Sequence, residues 1–220
     1  MQEDIFLRSH FVIFSVRYMI PVMAWVIVGL GNPGEEYKNT RHNAGRIAVE
    51  HFARKNEFPD WKADSKNKLT LAKGSVSGTS VLVLMPDTFM NKSGLAVAKH
   101  IKSVKSAEKL VVVYDDMDLP LGTIKLSYDR GSGGHKGLES VARTIKTTKF
   151  TRIRIGVSPV TAKGVAKKPQ GEDAVLKFIL AKFKPTEMDV LTKVFKRATE
   201  ALDAIITQGP MIAMNKFNSG

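Results

Sequence analysis

The sequence contains no cysteine. This absence excludes disulfides, thiolate nucleophiles and iron–sulfur clusters, and it removes the sulfur ligands of structural zinc sites. Histidine is also scarce, with five in 220 residues. Oxygen and imidazole groups are therefore left to carry any chemistry.

The sequence also lacks an uninterrupted apolar run of the roughly 18 residues that a membrane-spanning helix requires. The apolar stretch at residues 11–20 is broken by Arg17. Glu3 and Asp4 stand where a secretory signal carries basic residues. We therefore predict that residues 1–22 are an extension of doubtful status before a single domain, residues 23–220. An organelle-targeting segment with Arg8 and Arg17 is the weaker alternative.

Acidic residues are few compared with basic ones. The chain has 34 Lys and Arg against 21 Asp and Glu, a net charge of +13. Residues 136–184 alone hold twelve Lys or Arg and three acids. An excess of this kind favours a polyanionic partner such as nucleic acid, although a solvated surface that confers solubility explains the charge equally well.

Apolar runs with strand and helix periodicity alternate along the chain. This order predicts an α/β fold, a single domain with a twisted mixed β-sheet flanked by helices. The predicted strands are residues 24–30, 69–74, 80–84, 110–114, 122–127 and 150–157, and the predicted helices are residues 43–55, 95–101, 138–145, 173–181 and 186–207. Along residues 150–157 we expect the arginines on one face and the isoleucines on the other.

Residues 29–34 fit the spacing G-x-G-x-x-G after a predicted strand. In a dinucleotide-binding site the helix starts within these glycines and its N-terminus binds the diphosphate. Here Glu35 and Glu36 follow, and the predicted helix starts near Asn43. Two carboxylates would repel a diphosphate, so a nicotinamide-dependent dehydrogenase is disfavoured.

Polar segments follow three predicted strands. One contains His42, one is residues 86–94, and one is residues 114–120 with three aspartates. Loops at strand ends converge on one crevice in open α/β sheets, which is the usual position of a ligand. A single histidine at a loop–helix junction is more often a cap or a surface residue. A catalytic role for His42 is therefore supported only by the presence of the other two segments.

Six segments together resemble the bacterial-type peptidyl-tRNA hydrolases in their order and spacing. The resemblance extends from Trp25 to the C-terminal helix and leaves out only the first 22 residues. The segments are residues 29–34, 40–45, 88–94, 115–120, 133–138 and 152–156.

The resemblance implies hydrolysis of the ester that joins a peptide to the 3′ ribose of tRNA, with no metal and no other cofactor. It identifies His42 as the catalytic base and Asp115 as the carboxylate that orients it. Imidazole suits this role because it can be neutral near pH 7 and can accept a proton from water. Asp116 and Asp118 are close alternatives to Asp115, and all three aspartates also suit a turn before Pro120.

The resemblance further implies that Asn32 and Asn91 bind the peptide or position water, with Tyr37 lining the same pocket. A side-chain amide both donates and accepts, so it can bind a peptide group without reading the side chain. Turn and helix-cap chemistry explains both asparagines as well, and packing beneath the loop explains Tyr37.

Two positions depart from the family pattern. Lys136 stands where the family usually has a substrate-binding asparagine; it cannot accept a hydrogen bond, but it can bind a phosphate or carboxylate. Ser127 replaces a lysine that grips the tRNA 5′ phosphate in many relatives. We predict that the tRNA-binding surface is formed by Lys125, Arg130, Lys136, Arg152 and Arg154.

An RNA-binding protein without catalytic activity on the same fold is the alternative function. The joint presence of Asn32, His42, Asn91 and Asp115 argues against it. We expect a cytoplasmic monomer that acts on peptidyl-tRNA and makes no contact with a membrane.

Overall fold

The computed structural model describes residues 24–161 and 164–219, and the predicted extension lies outside them. The described residues form an α/β fold with seven strands and seven α-helices. The strands are β1 (Trp25–Gly29), β2 (Lys62–Asp64), β3 (Leu69–Val76), β4 (Thr79–Pro86), β5 (Leu110–Pro120), β6 (Ile124–Tyr128) and β7 (Thr151–Ser158). The helices are α1 (Ala44–Lys55), α2 (Gly94–Val97), α3 (Val104–Ala107), α4 (Lys136–Ile145), α5 (Glu172–Ile179), α6 (Pro185–Gln208) and α7 (Pro210–Asn218).

The strands form one mixed sheet in the order β2-β3-β4-β1-β5-β7-β6. Strand β1 pairs in parallel with β4 and β5, and β5 pairs in parallel with β7. The pairs β2–β3, β3–β4 and β6–β7 are antiparallel. The predicted mixed sheet is therefore confirmed, and the carboxyl ends of β1, β4 and β5 lie at one edge, where ligands bind in such sheets.

Both faces of the sheet are covered. Alternate residues of β1 and β5, such as Ile27 and Val111, pack with α1, α6 and α7 in one cluster. Their neighbours Val28 and Val112 pack with α2 and α4 in the other. Burial on both faces explains the continuous apolar run at the start of β5. In the described part of the chain, no helix has the length and apolar character needed to cross a membrane.

Strand β5 is longer than predicted. The polar run after Tyr114 was expected to form a loop, but Asp115 and Asp116 continue the strand and pair with Ile155 and Gly156 of β7. The hairpin strands also extend further, so that only Ser77 and Gly78 separate β3 from β4. In each case strand pairing in the folded sheet overrides the weak strand preference of the local sequence.

The predicted helix at residues 95–101 is too long. Helix α2 ends at Val97, and a separate helix α3 begins after Ser103, whose side chain accepts a hydrogen bond from Ser106 N. The edge strand β2 and the C-terminal helix α7 were not predicted. Pro210 at the first position of α7 is a usual start signal that could have identified this helix.

Candidate active site

His42 lies on a single 3₁₀ turn, Arg41–Asn43, between the loop after β1 and helix α1. The start of α1 approaches the sheet closely at Gly45. A Cβ atom at this position would lie 2.7 Å from the Leu30 carbonyl oxygen and would also meet that of Val113. The absence of a side chain at Gly45 therefore lets the turn bring His42 against the carboxyl ends of β1 and β5.

The structure brings His42 and Asp115 together. His42 Nδ1 lies 3.0 Å from Asp115 Oδ1 and 3.1 Å from Oδ2, and both residues are buried. Burial by itself lowers the pKa of His42, but the charge of Asp115 and its hydrogen bond raise it above the usual value. Burial likewise opposes the charge of Asp115, yet the two neighbouring imidazoles, His42 and His135, hold the pKa of this carboxyl well below its usual range.

His135 is a second histidine on the same carboxylate, and the sequence interpretation gave it no role. Its Nδ1 accepts a hydrogen bond from Leu138 N at 3.2 Å, and its Nε2 lies 3.1 Å from Asp115 Oδ1. Because Nδ1 accepts, we assign the proton to Nε2, which then donates to Asp115. The Gly-Gly-His segment before α4 was the available signal, since histidine there can cap the helix.

His42, Asp115 and His135 also form the one group in the described chain that could hold a metal ion, with ligand atoms within 4.8 Å of one another. Zinc needs nitrogen and oxygen ligands at about 2.0–2.2 Å. The nitrogens that face Asp115 lie at hydrogen-bond distance, 3.0 and 3.1 Å. An ion would have to displace both hydrogen bonds, so the geometry fits a hydrogen-bonded cluster better than a metal site.

Asn32 joins two loops at this edge of the sheet. Its Oδ1 accepts from Met90 N at 2.9 Å. The side chain of Asn43 binds the backbone N and O of Asn32, each at 2.9 Å. These contacts fix Asn32 and leave its Nδ2 group to donate to a bound molecule. The supporting role of Asn43 was missed, although the residue lies within the segment that contains His42.

A cavity of about 420 Å³ opens over His42 and Asp115. The predicted residues Asn32, Tyr37, Asn91 and Lys136 all line it. Apolar residues form much of its lining: Phe89, Met90, Met117, Val175, Leu176, Ile179 and Leu180. The cavity therefore places a histidine and amide groups beside a surface that suits apolar side chains.

Helix α5 forms one side of this cavity and has no buried residue. Lys136 at the start of α4 pairs with Glu172 at the start of α5, with Nζ 3.3 Å from Oε1. Lys168, in the preceding loop, pairs with Asp118 at 2.6 Å. The lysine that departs from the family pattern thus contacts the helix across the cavity mouth.

A second cavity, of about 510 Å³, adjoins the first. The two share Tyr114, Asp116, Asp118, Ser132 and Gly133. Lys125 and Arg130 are exposed beside the second cavity, and Arg154 is partly exposed, with its Nε 2.6 Å from Asp116 Oδ2. Three of the predicted basic residues therefore line the same cavity.

Arg152 does not fit the predicted RNA-binding surface. Its side chain lies on the predicted face of β7, opposite those of Ile153 and Ile155, but the residue is only 1% exposed. Arg152 is among the residues that line the second cavity, and its guanidinium binds backbone carbonyls of residues 130 and 131. Interior hydrogen bonds take the place of the expected phosphate contact.

The chain is similar to known proteins over most of its length. The family model described as peptidyl-tRNA hydrolase matches residues 26–220. The peptidyl-tRNA hydrolase of Herpetosiphon aurantiacus is 39% identical, over 88% of this chain and 90% of the relative. That of Carboxydothermus hydrogenoformans is 39% identical, over 89% and 99%. The crystal structure of the Acinetobacter baumannii peptidyl-tRNA hydrolase superposes with a TM-score of 0.78 at 33% identity, over 89% and 95%. The chain therefore belongs to the peptidyl-tRNA hydrolase family.

Proposed function

We propose that this protein hydrolyses the ester between peptide and tRNA in peptidyl-tRNA and releases free tRNA and peptide. The observation that carries the proposal is the orientation of His42. Its Nδ1 faces Asp115, and its ring lines the cavity. Nε2 is therefore the nitrogen that can act on a molecule bound there.

His42 acts as the general base in this proposal. Nε2 takes a proton from water as the water oxygen attacks the ester carbonyl carbon. The tetrahedral intermediate then expels the 3′ ribose oxygen, which receives the proton from the imidazolium. Asp115 keeps the ring in the correct tautomer and stabilises the positive charge that forms on it. A positioned base of this kind supplies about 10²–10⁴-fold in rate.

The peptide binds in the first cavity. Asn32 and Asn91 offer amide groups that pair with the peptide backbone or hold the attacking water, and Tyr37 completes the polar side. The apolar lining residues accept side chains through burial, which depends little on their shape. Together these contacts suit a substrate whose peptide can have any sequence.

The RNA half of the substrate binds beside the second cavity. Lys125, Arg130 and Arg154 supply positive charge there. Contacts to phosphates give affinity without reading bases, which an enzyme for every tRNA requires. The two cavities adjoin and share five lining residues. One substrate molecule can therefore extend from one cavity into the other.

Incubation with an N-blocked aminoacyl-tRNA tests the proposal. We expect the parent protein to release free tRNA and the His42→Ala variant to lose this activity by at least about 10²-fold. His51→Ala is the matched control, because His51 lies on α1 and contacts Thr199 of α6. Tight tRNA binding without any release by the parent would instead favour the non-catalytic alternative.

The monomeric state and the cytoplasmic location stay predictions. Light scattering of the purified protein tests the first, and localisation of a tagged chain in intact cells tests the second. A stable dimer in solution would contradict the first prediction.

A further inference from the structure

Arg152 is a charged side chain in the interior of the sheet. It is the second residue of β7 and lies between Val112 of β5 and Ser127 of β6 in the strand register. It is among the largest fully buried side chains of the described residues. An arginine stays protonated in proteins, so its burial requires strong partners.

Those partners are backbone carbonyls. Nη1 donates to Gly131 O at 2.8 Å, and Nη2 donates to Arg130 O. The guanidinium carbon also lies 4.8 Å from the centroid of the Phe150 ring. Among the described residues, no carboxylate lies within ion-pair distance of Arg152, and its Nε has no hydrogen-bond partner. The two carbonyl dipoles, the aromatic ring, the Tyr114 hydroxyl and the more distant charge of Asp129 therefore compensate its charge.

The segment that Arg152 binds is rich in glycine. Residues 129–134 contain Gly131, Gly133 and Gly134, and the last two have φ of 61° and 81°. Ordering such a segment costs backbone entropy, and glycine loses more of it than any other residue. Two hydrogen bonds from the buried guanidinium hold the backbone at residues 130 and 131, in addition to the bond that Asp129 accepts from Thr148.

The same segment positions His135 in the active site. His135 follows Gly134 directly, caps α4 through Leu138 N, and contacts Asp115. Ser132 and Gly133 separate the two cavities and line both. A shift of this loop would move His135 relative to Asp115 and change the wall beside the ester.

We propose that Arg152 is a positioning residue for the hydrolysis, which fixes the glycine loop through its carbonyls and so holds His135 on Asp115. The inference rests on the proposed function and adds a residue that acts through the loop instead of on the RNA. Arg154 is the natural contrast, because it lies two residues along the same strand, is partly exposed and faces the second cavity.

Kinetics of tRNA release and the salt dependence of tRNA binding test this assignment with Arg152→Met, Arg152→Lys and Arg154→Met. We expect Arg152→Met to lower kcat by about 10–100-fold, because small displacements of catalytic groups have effects of this size. Its KM and the salt slope of binding should stay those of the parent. Arg152→Lys keeps the positive charge and a single donor group, the ammonium, and should recover part of kcat. Arg154→Met should instead raise KM and reduce the salt slope by about one.

Two results would overturn the inference: an unchanged kcat in Arg152→Met, or a KM and salt slope altered as in Arg154→Met. If Arg152→Met does not fold, amide hydrogen exchange in Arg152→Lys gives the answer. Exchange at Leu138 should become faster while exchange at Ala142 stays as in the parent, and unchanged exchange at Leu138 would refute the role. Absence of tRNA release by the parent itself would refute the proposed function, and the exchange measurement would still test the loop.

Discussion

The properties of His42 come from a balance between burial and the charge of Asp115. Burial favours the neutral imidazole, and the carboxylate favours the charged one strongly enough to raise the pKa of His42 above 6.5. Only the neutral ring can accept a proton from water. The kcat/KM of the enzyme should therefore fall as the pH decreases, and the fall should begin at a higher pH than the usual pKa of a free imidazole would give.

Asp115→Asn tests this balance. An amide carries no charge, so the lowering of the His42 pKa by burial is no longer opposed. We expect the acid-side decline of kcat/KM to move to lower pH, while the rate at pH values above it falls by about 10²–10⁴-fold. The measurement is tRNA release as a function of pH. Asp203→Asn is the control, since Asp203 is partly buried, bound to Asn56 and remote from the site. An unmoved decline in Asp115→Asn would contradict the role of Asp115.

We expect the ion pair between Lys136 and Glu172 to have only a small effect on catalysis. The side chains of Lys136 and Glu172 are 66% and 86% exposed, and such ion pairs contribute little because water and salt screen them. We expect Lys136→Asn and Glu172→Gln each to change KM by less than about fivefold and to leave kcat unchanged. Steady-state kinetics of both variants provide the check. A large loss in Lys136→Asn alone would mean that the lysine contacts the substrate directly.

At the level of elements, the turn with His42 is joined to the segment between α5 and α6. Arg41 N donates to Ala181 O at 3.1 Å, and Phe183 N donates to Asn39 O at 2.9 Å. The Arg41 guanidinium binds both oxygens of Glu187 at 2.9 Å each and lies 4.7 Å from the ring centroid of Phe178. This largely buried ion pair thus joins the start of α6 to the turn that contains His42.

Arg41→Met should destabilise the protein by about 3–5 kcal/mol, because Glu187 is left mostly buried without its partner. The double variant Arg41→Met with Glu187→Met should lose less than the sum of the two single variants, since neither charge is then left alone. Denaturant unfolding measures all three. Additive losses would show that the two side chains do not depend on each other.

For the molecule as a whole, the sequence predicts the order of elements better than the meeting of distant side chains. The apolar runs of β1 and β5 and the period of α1 follow from local preference and are confirmed. The continuation of β5 through Asp115 depends on pairing with β7, which no local pattern reveals. Arg152 lies on the predicted face of β7. Its burial, however, depends on the conformation of the glycine loop, which the local sequence does not determine. The contacts of His42 and His135 with Asp115 also could not be predicted, because they join three segments that are distant in the sequence.

The net charge of +13 becomes informative once it is placed in the fold, because Lys125, Arg130 and Arg154 lie around one cavity beside the active site. If each neutralises one phosphate, the logarithm of tRNA affinity should fall with the logarithm of salt concentration with a slope of about −3. Filter binding of N-blocked aminoacyl-tRNA to the His42→Ala variant measures this slope without turnover.

Added to that His42→Ala background, Lys125→Met or Arg154→Met should each reduce the slope by about one. Lys193→Met is the control, because Lys193 is an exposed lysine on α6, away from both cavities, and its loss lowers the net charge equally. An equal effect of all three substitutions would mean that overall charge, and no defined phosphate site, attracts the RNA. An affinity that barely changes with salt would assign the basic excess to solubility alone.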